Sequence, residues 1–194
     1  MPPLLPKSTL RRALKDILQK IHPIDRVDFS KQLTDHLHAS NIYRSATTIL
    51  AYAALPAEIS LDSLVTHALA DGKRICIPAI DWDAKTMLPV EIRNLDTDLQ
   101  IGRYGIRAPM VSSPMVEPND IDLILIPGLA FDRSFNRLGR GAGFYDRMIE
   151  TLPTPRPVLV GVCFSCQIVD AVPTEPHDHS MDRVITEIGE LEPK

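Results

Sequence analysis

The stretch Leu123-Ile-Leu-Ile-Pro-Gly-Leu-Ala-Phe-Asp132 is an apolar run of strand length that reaches a Pro-Gly turn, and Asn136-Arg-Leu-Gly-Arg-Gly-Ala-Gly-Phe-Tyr-Asp146 follows it. Three alternating glycines in this second stretch precede a helix predicted over residues 144–152. In such a strand–turn–helix unit, backbone N–H groups point outward and the helix dipole favours an anion. Glycine suits the turn because it adopts positive φ angles and lacks a Cβ that would block close approach. The sequence therefore predicts an anion-binding turn after a buried strand.

Apolar runs and amphipathic segments alternate along the rest of the chain. Residues 95–118 are rich in Pro, Gly, Ser and Asp, which predicts a long functional or flexible loop. The alternation is typical of an α/β fold whose mostly parallel sheet is covered on both faces, here as a single domain over residues 1–194. Strands are predicted at 47–55, 74–78, 123–126, 157–164 and 183–187, a partner or edge strand at 87–92, and helices at 7–20, 28–38, 61–70 (capped by Ser60) and 144–152.

Composition narrows the class of protein. The 194 residues are 44% hydrophobic and 24% charged, which is ordinary for a soluble globular protein, and the net charge of −4 argues against non-specific nucleic-acid binding. No apolar run approaches the ~20 residues of a membrane span, and the first residues do not resemble a signal peptide. The three cysteines suit a reducing compartment. We therefore expect a cytoplasmic protein that binds neither nucleic acid nor membrane.

Four cationic side chains are candidates for binding an anion. Lys7 and Arg11 are four residues apart, so they project from one face near the start of the first predicted helix; a solvated charged face is the alternative. Arg137 and Arg140 flank the first glycine of the turn, and arginine offers a rigid fork of donors to phosphate oxygens. The spacing G-x-G-x-G matches neither common nucleotide fingerprint. The turn therefore predicts phosphate or other anion binding without naming the ligand.

Asp146 is a candidate ligand for a hard cation, whereas Asp178 belongs to a His-Asp-His trio. Asp146 lies in the first turn of its predicted helix, where it either complements the helix dipole or binds Mg²⁺ beside a phosphate. Asp178 lies between His177 and His179, but this trio is a poor match to a zinc site, and solvated loop histidines are expected.

Two further features have both a functional and a structural interpretation. Glu58 follows the end of a predicted strand, where open α/β sheets place ligand sites, although an ordinary loop carboxylate fits equally. Cys163 and Cys166 have redox spacing, but they end a buried strand instead of opening a helix, so core cysteines are expected.

Several segments, in order over nearly the whole chain, resemble the 5-formyltetrahydrofolate cyclo-ligase (methenyltetrahydrofolate synthetase) family. The resemblance implies a three-layer α/β/α sandwich and an ATP- and Mg²⁺-dependent conversion of 5-formyltetrahydrofolate to 5,10-methenyltetrahydrofolate, ADP and phosphate. The formyl oxygen would attack the γ-phosphate, and N10 would then close the ring as phosphate leaves. The segments are Lys7-x-x-x-Arg11, Pro56-x-Glu58-Ile59, Ile126–Asp132, the highly specific Asn136–Arg147, and His177-Asp178 with Asp182.

The resemblance also implies residue roles. Arg140 and Tyr145 would be catalytic, and Asp146 and Asp178 would hold magnesium. Tyr52 or Tyr145 would stack on a flat ring. ATP would be bound by Lys7, Arg11, Arg137, Leu138, Gly139, Arg140, Gly141, Ala142, Gly143, Phe144 and Tyr145, and the folate by Ala53, Glu58, Arg140, Gly141, Ala142, Gly143 and Phe144.

The chain departs from the family pattern at one position, and two other functions would also use the glycine turn. Some family members have Lys where this chain has Ala142, which would leave Arg140 with more of the charge neutralisation. A sugar-phosphate isomerase or transferase on a similar sheet would use the glycine turn without ATP or metal. A non-catalytic folate- or nucleotide-binding module would use the same residues only to bind. We expect a monomer whose partners are small molecules.

Overall fold

The computed structural model describes residues 5–110 and 112–193. Three short 3₁₀ turns, at Arg103–Gly105, Pro118–Asp120 and Ser165–Gln167, join longer elements. The helices are α1 (Lys7–Gln19), α2 (Pro23–Ala39), α3 (Asn41–Ser45), α4 (Asp62–Ala70) and α5 (Phe144–Glu150). The strands are β1 (Thr48–Leu50), β2 (Arg74–Asp81), β3 (Thr86–Ile92), β4 (Leu99–Ile101), β5 (Arg107–Pro109), β6 (Leu123–Pro127), β7 (Ala130–Phe131), β8 (Arg137–Leu138), β9 (Val158–Val162), β10 (Arg183–Thr186) and β11 (Gly189–Glu190).

One sheet organises the molecule. Its seven strands lie in the order β11-β10-β9-β6-β1-β2-β3, and the four central pairings, from β10 to β2, are parallel. The outer strands β3 and β11 each pair antiparallel with their neighbour. The predicted fold class, an α/β domain with a mostly parallel sheet, is confirmed, whereas the bounds 1–194 stay a prediction.

The two faces of the sheet are covered by different helices. Successive side chains of a strand point to opposite faces, so alternate residues of β6 enter two separate cores. Leu123 and Leu125 pack in the core that receives α1, α2 and α4, through side chains such as Leu14, Leu33 and Leu64. Ile124 and Ile126 pack in the core that receives Met148 and Ile149 of α5. This arrangement gives the three layers of the sandwich.

Some element bounds differ from expectation. β1 ends at Leu50, and the last hydrogen bond to β2 runs from Ala51 N–H to the Cys76 carbonyl. The prediction that this strand continues to residue 55 is therefore wrong. α2 begins at Pro23, five residues early, because proline suits the first position of a helix. α4 begins at Asp62 with Leu61 at the N-cap position, so the prediction that Ser60 caps the helix is wrong, although Asp62 N–H donates to Ser60 Oγ at 3.3 Å.

The segment expected to be a loop, residues 95–118, contains the β4–β5 hairpin and a bridge from Met115 to Val90 of β3. Helix α3 was not predicted. Its five residues are short, and the N-cap Ser40 Oγ accepts from Tyr43 N–H at 3.2 Å.

The approach to the glycine turn is fixed by a buried ring and a buried carboxylate. Phe131 leaves no space for a Cβ on Gly128 or Gly161, whose ideal Cβ positions lie 2.6 and 2.5 Å from its ring atoms. Asp132 accepts hydrogen bonds from the backbone N–H groups of Ser134, Asn136 and Val172. The polar loop between β7 and β8 is therefore closed by local bonds, and β8 enters the turn in a defined direction.

Candidate functional site

A cavity of about 1220 Å³ lies beyond the carboxyl ends of the central strands. Open α/β sheets bind ligands at this edge because the strand order reverses direction there and leaves a crevice. Every residue predicted for the site lines this one cavity, from Lys7 and Arg11 through Ala53, Glu58 and the glycine turn to Asp178. The structure therefore brings the predicted residues together, although it does not assign their roles.

Lys7 joins the start of the chain to its end. Its Nζ donates to Glu175 Oε2 and to Asp178 Oδ2, both at 2.6 Å. Burial works to raise the pKa of Asp178, but the Lys7 hydrogen bond, the Glu175 N–H and the Lys7 charge together hold that pKa below its usual range. The hydrogen bond from Lys7 likewise lowers the pKa of Glu175. Both carboxylates are therefore ionised at neutral pH.

Arg137 is buried beneath the turn. Its side chain is 4% exposed, and Nη2 donates to Asp146 Oδ1 at 2.8 Å. The guanidinium also lies 5.5 Å from the centre of the Tyr145 ring. Because β8 carries Arg137 and the first turn of α5 carries Asp146, this pair ties the two ends of the glycine turn together. Its Nε has no partner among the described residues.

Arg140 reaches across the cavity to Glu58. Its Nε and Nη2 both lie 2.8 Å from Glu58 Oε1, and the other carboxylate oxygen accepts from Leu55 N–H at 2.9 Å. The Glu58 side chain is only 9% exposed. The segment after β1 is thereby connected to the middle of the glycine turn, so a residue predicted for the folate and one predicted for both ligands are already in contact.

The glycine turn has the backbone that its sequence predicts. Gly141 and Gly143 have φ angles of 109° and 69°, which side-chain-bearing residues rarely adopt. Arg11 Nε donates to the Gly139 carbonyl at 2.9 Å, and its guanidinium lies against Gly141. Helix α1 therefore covers one side of the turn, and Arg11 makes the contact.

Three aromatic side chains predicted for the site are Tyr52, Phe144 and Tyr145, and two of them carry a hydroxyl group. Burial raises the pKa of both Tyr52 and Tyr145. Both phenols are therefore protonated at neutral pH and act as hydrogen-bond donors, not as bases. Tyr52 already donates to the Ile59 carbonyl at 3.0 Å. Phe144 packs edge to face with Trp82 of the β2–β3 turn, at 5.4 Å between ring centres.

The donors available for a metal ion are mostly carboxylate oxygens. Ligand atoms of Glu175, His177 and Asp178 lie within 4.8 Å of one another. Asp146 lines the same cavity but is not part of that group. Carboxylates suit Mg²⁺, which is usually held by one or two of them together with substrate phosphates. The residue set fits the predicted metal, with Glu175 as an addition to it.

The sequence missed several residues of the cavity wall. Glu175 could have been found, because it is an acidic residue three positions before Asp178. Other missed residues include Trp82 and Lys85 on the β2–β3 turn and Ile106 and Arg107 on the β4–β5 hairpin, two segments that gave no motif, and Arg147 on α5, for which no role was predicted.

Two side chains near the motifs, Cys166 and His179, depart from the expectations. Cys163 is buried, but Cys166 is exposed, so the expectation of two core cysteines is wrong for Cys166 because it lies in a 3₁₀ turn at the surface. His177 is exposed as expected, whereas His179 is half-buried and its Nε2 has no partner among the described residues, so the expected solvation holds for His179 only in part.

Asp182, part of the resemblance, has a structural role. It accepts from both Nη atoms of Arg156 at 2.6 and 2.7 Å and from Leu159 N–H at 2.7 Å. It is not among the residues lining the cavity.

The fold and the cavity define an α/β protein with a cation-rich ligand site at the carboxyl edge of a parallel sheet. Among the described residues, no helix is long and apolar enough to cross a membrane. A sequence model of the 5-formyltetrahydrofolate cyclo-ligase family matches residues 5–187, and the chain belongs to this family, whose members are ligases.

Relatives and a solved structure agree with this assignment. The chain is 33% identical over 183 residues to 5-formyltetrahydrofolate cyclo-ligase of Mycolicibacterium smegmatis, with 93% of each chain covered. It is 29% identical over 174 residues to the Haemophilus influenzae protein of that name, with 89% of this chain and 92% of the relative covered. The NMR structure of Aquifex aeolicus 5,10-methenyltetrahydrofolate synthetase superimposes with a TM-score of 0.84 at 26% identity, over 96% of this chain and 92% of that one.

Proposed function

We propose that this protein converts 5-formyltetrahydrofolate to 5,10-methenyltetrahydrofolate with Mg²⁺ and ATP, releasing ADP and phosphate. The observation that carries the proposal is the convergence of three distant segments on one cavity. Lys7 and Arg11 come from the first helix, the glycine turn from the middle of the chain, and Asp178 from near its end. The volume of the cavity also supports the binding of two ligands, since about 1220 Å³ exceeds the ~300–1,000 Å³ of an ordinary small-molecule site.

The nucleotide fits the side of the cavity where the glycine turn meets α1. Arg11 lies against the turn, Arg140 belongs to it and Arg137 lies buried beneath it, whereas Lys7 is at the start of α1. Exposed turn N–H groups and arginine forks are the donors that phosphate oxygens prefer. We infer that Arg137 through Tyr145 wrap the nucleotide and that Lys7 and Arg11 bind its phosphates.

The folate fits the side where Arg140 meets Glu58. A pterin carries amide-like donors, and a carboxylate such as Glu58, beside Ala53, accepts a pair of them. Arg140 contacts Glu58 while belonging to the turn that would hold the nucleotide. Because Arg140 would lie next to both ligands, we infer that it brings the formyl oxygen and the γ-phosphate together.

The chemistry requires positioning and charge neutralisation more than a covalent nucleophile. Phosphoryl transfer gains mainly from preorganised positive charge around the transferring group. Arg140 would neutralise charge that develops on that group, and Tyr145, protonated because burial raises its pKa, would donate a hydrogen bond. Asp146 and Asp178 would hold Mg²⁺, which when bound adds positive charge beside the phosphates.

The test is ADP release that depends on 5-formyltetrahydrofolate. We expect the purified protein with Mg-ATP to release ADP only when the folate is present, together with the absorbance of the methenyl product. Chelation of Mg²⁺ should stop both signals. Folded protein that gives neither signal would overturn the proposal, and folate or ATP binding without ADP release would favour a non-catalytic binding module. Size-exclusion chromatography tests the expected monomer separately.

A further inference from the structure

Arg147 lies in the cavity wall between two loops that the chain brings together. Its Nε donates to the Lys85 carbonyl at 2.8 Å, and its Nη2 donates to the Ala142 carbonyl at 2.7 Å. Its guanidinium lies 5.6 Å from the centre of the Phe144 ring. Contacts from the β2–β3 turn, the glycine turn and its own helix therefore hold this side chain in one orientation.

The positive charge of Arg147 has no acidic partner in the described part of the chain. Among the described residues, the Arg147 side chain donates hydrogen bonds only to main-chain carbonyls. Glu150, one turn further along α5, lines the cavity without pairing with it. Lys85 also lines the cavity, and no carboxylate pairs with it among the described residues. A guanidinium has five N–H donors, so donors remain after these two bonds. Lys85 contacts Arg147 through its main-chain carbonyl, so two cationic residues without a carboxylate partner among the described residues meet in this part of the wall.

The guanidinium lies directly against the turn that holds the proposed nucleotide. A Cβ on Gly143 would be 2.8 Å from Arg147 Nη1, so the glycine makes room for this arginine as well as for the turn. The side chain at position 142 is only a methyl group, and Arg147 bonds to the carbonyl of that same residue. Arg147 therefore places a positive charge where Ala142 itself supplies none.

We propose that Arg147, with Lys85 beside it, forms an oxyanion subsite of this cavity. Its ligand would be a phosphate of the nucleotide or a glutamyl carboxylate of the folate, since an arginine fork matches both. The subsite rests on the proposed function, because it assumes that these two ligands enter the cavity. It adds a residue that determines which part of a substrate binds between the glycine turn and the β2–β3 turn.

The test is calorimetric titration of the full chain with Mg-ATP and, separately, with 5-formyltetrahydrofolate. Arg147→Ala should weaken one of the two ligands roughly 10- to 100-fold, the loss expected for charge-assisted hydrogen bonds. Lys85→Asn should weaken the same ligand by a smaller factor, since asparagine tolerates the φ of 54° at that position and the carbonyl that holds Arg147 remains. Arg133→Ala is the matched control, because this exposed arginine also donates to a main-chain carbonyl, that of Glu192, and does not line the cavity.

Each outcome decides the proposal. A loss confined to Mg-ATP identifies the anion as a phosphate, and a loss confined to the folate identifies a carboxylate. Unchanged affinity for both ligands in Arg147→Ala overturns the subsite. Equal losses for both, with a lower melting temperature and no effect of Lys85→Asn, also overturn it, because Arg147 would then only tie two loops together. Wild-type protein that binds neither ligand overturns the proposed function and the subsite with it, whereas wild-type binding with an unchanged variant overturns the subsite alone.

Discussion

The cavity contains two kinds of cation, and they differ in what holds them. Lys7, Arg137 and Arg140 are each paired with a carboxylate at 2.6–2.8 Å. Arg11 and Arg147 are instead held by main-chain carbonyls. Carbonyl oxygens orient a guanidinium without cancelling its charge. The charge of the first group is therefore partly offset before any ligand binds, whereas the second group presents its charge without an acidic partner among the described residues.

The difference predicts separate effects on stability and on binding. Removing a paired cation leaves a carboxylate uncompensated in a partly buried place, so folding stability falls as well as binding. Removing a carbonyl-held cation leaves only neutral acceptors, which water can satisfy at the cavity surface. Four substitutions test this separation, from the largest expected effect to the smallest.

Arg137→Ala should destabilise the protein most. The guanidinium is nearly inaccessible, and Asp146 would lose its partner, so we expect a loss of about 3–5 kcal/mol in the free energy of unfolding. Urea denaturation measures this loss. Adding Asp146→Asn should recover part of it, because the variant no longer holds an unpaired charge. A loss under ~1 kcal/mol would mean that the pair behaves like an exposed salt bridge.

Arg140→Ala should lower catalysis strongly, and it should also lower stability because Glu58 loses its partner. If this arginine stabilises charge in the transition state, kcat/KM should fall by the equivalent of roughly 3–4 kcal/mol, as for other preorganised donors. Steady-state kinetics with both substrates measures the change. Arg140→Lys is the companion variant, since it keeps the charge but not the fork that contacts Glu58. Unchanged kcat/KM in Arg140→Ala would remove this residue from the reaction.

Lys7→Met should produce a stability loss that depends on pH. In the wild type the pKa of Asp178 is lowered, so its contribution to stability is present above the unfolded pKa of about 3.9 and is lost as pH falls through the lower folded value. In the variant the hydrogen bond and charge of Lys7 are lost, whereas burial and the Glu175 N–H remain, so the pKa of Asp178 should be higher than in the wild type. The wild type should therefore exceed the variant by roughly 1–3 kcal/mol near neutral pH, and the gap should narrow below about pH 4.

Measurements of the unfolding free energy from pH 3 to pH 7 test whether the stability difference narrows as pH falls. The carboxyl pKa of Asp178 in each protein can be followed by NMR. A gap that is constant over this range would mean that Lys7 does not stabilise the ionised form of Asp178.

Arg11→Ala should affect binding with little effect on folding. Its partner is the Gly139 carbonyl, so we expect less than ~1 kcal/mol of lost stability and a several-fold weaker affinity for Mg-ATP. Calorimetric titration beside a thermal melt gives both quantities. A large fall in stability with unchanged affinity would reverse the comparison for this residue.

Much of the fold could be predicted because the apolar runs of β6 and β9 occur where a parallel sheet buries them. The predictions that were wrong concern features that depend on pairing between distant strands. β1 stops at Leu50, where its pairing with β2 and β6 ends although both neighbours continue, and the β4–β5 hairpin lies in a segment whose composition predicts a loop. Local sequence does not specify where a neighbouring strand stops, so such bounds follow only from the assembled sheet.

The candidate site was found where motifs are continuous and missed where they are not. The glycine turn, Lys7 and Asp178 are recognisable by resemblance, and the structure places all of them in one cavity. Their pairing partners were not predicted, because the contact of Arg140 with Glu58 spans 82 positions and spacing says nothing about it. Lys85 and Arg147 likewise meet only through folding.

The bond between Lys7 and Asp178 joins residues 171 positions apart in the sequence. During synthesis, helix α1 therefore emerges from the ribosome long before the carboxylate that it will contact. The glycine turn, too, is complete while the loop containing Glu175 and Asp178 has yet to be translated. The cavity is thus complete only after residue 178 has been translated, and a nascent chain that stops earlier leaves the Lys7 ammonium without this partner.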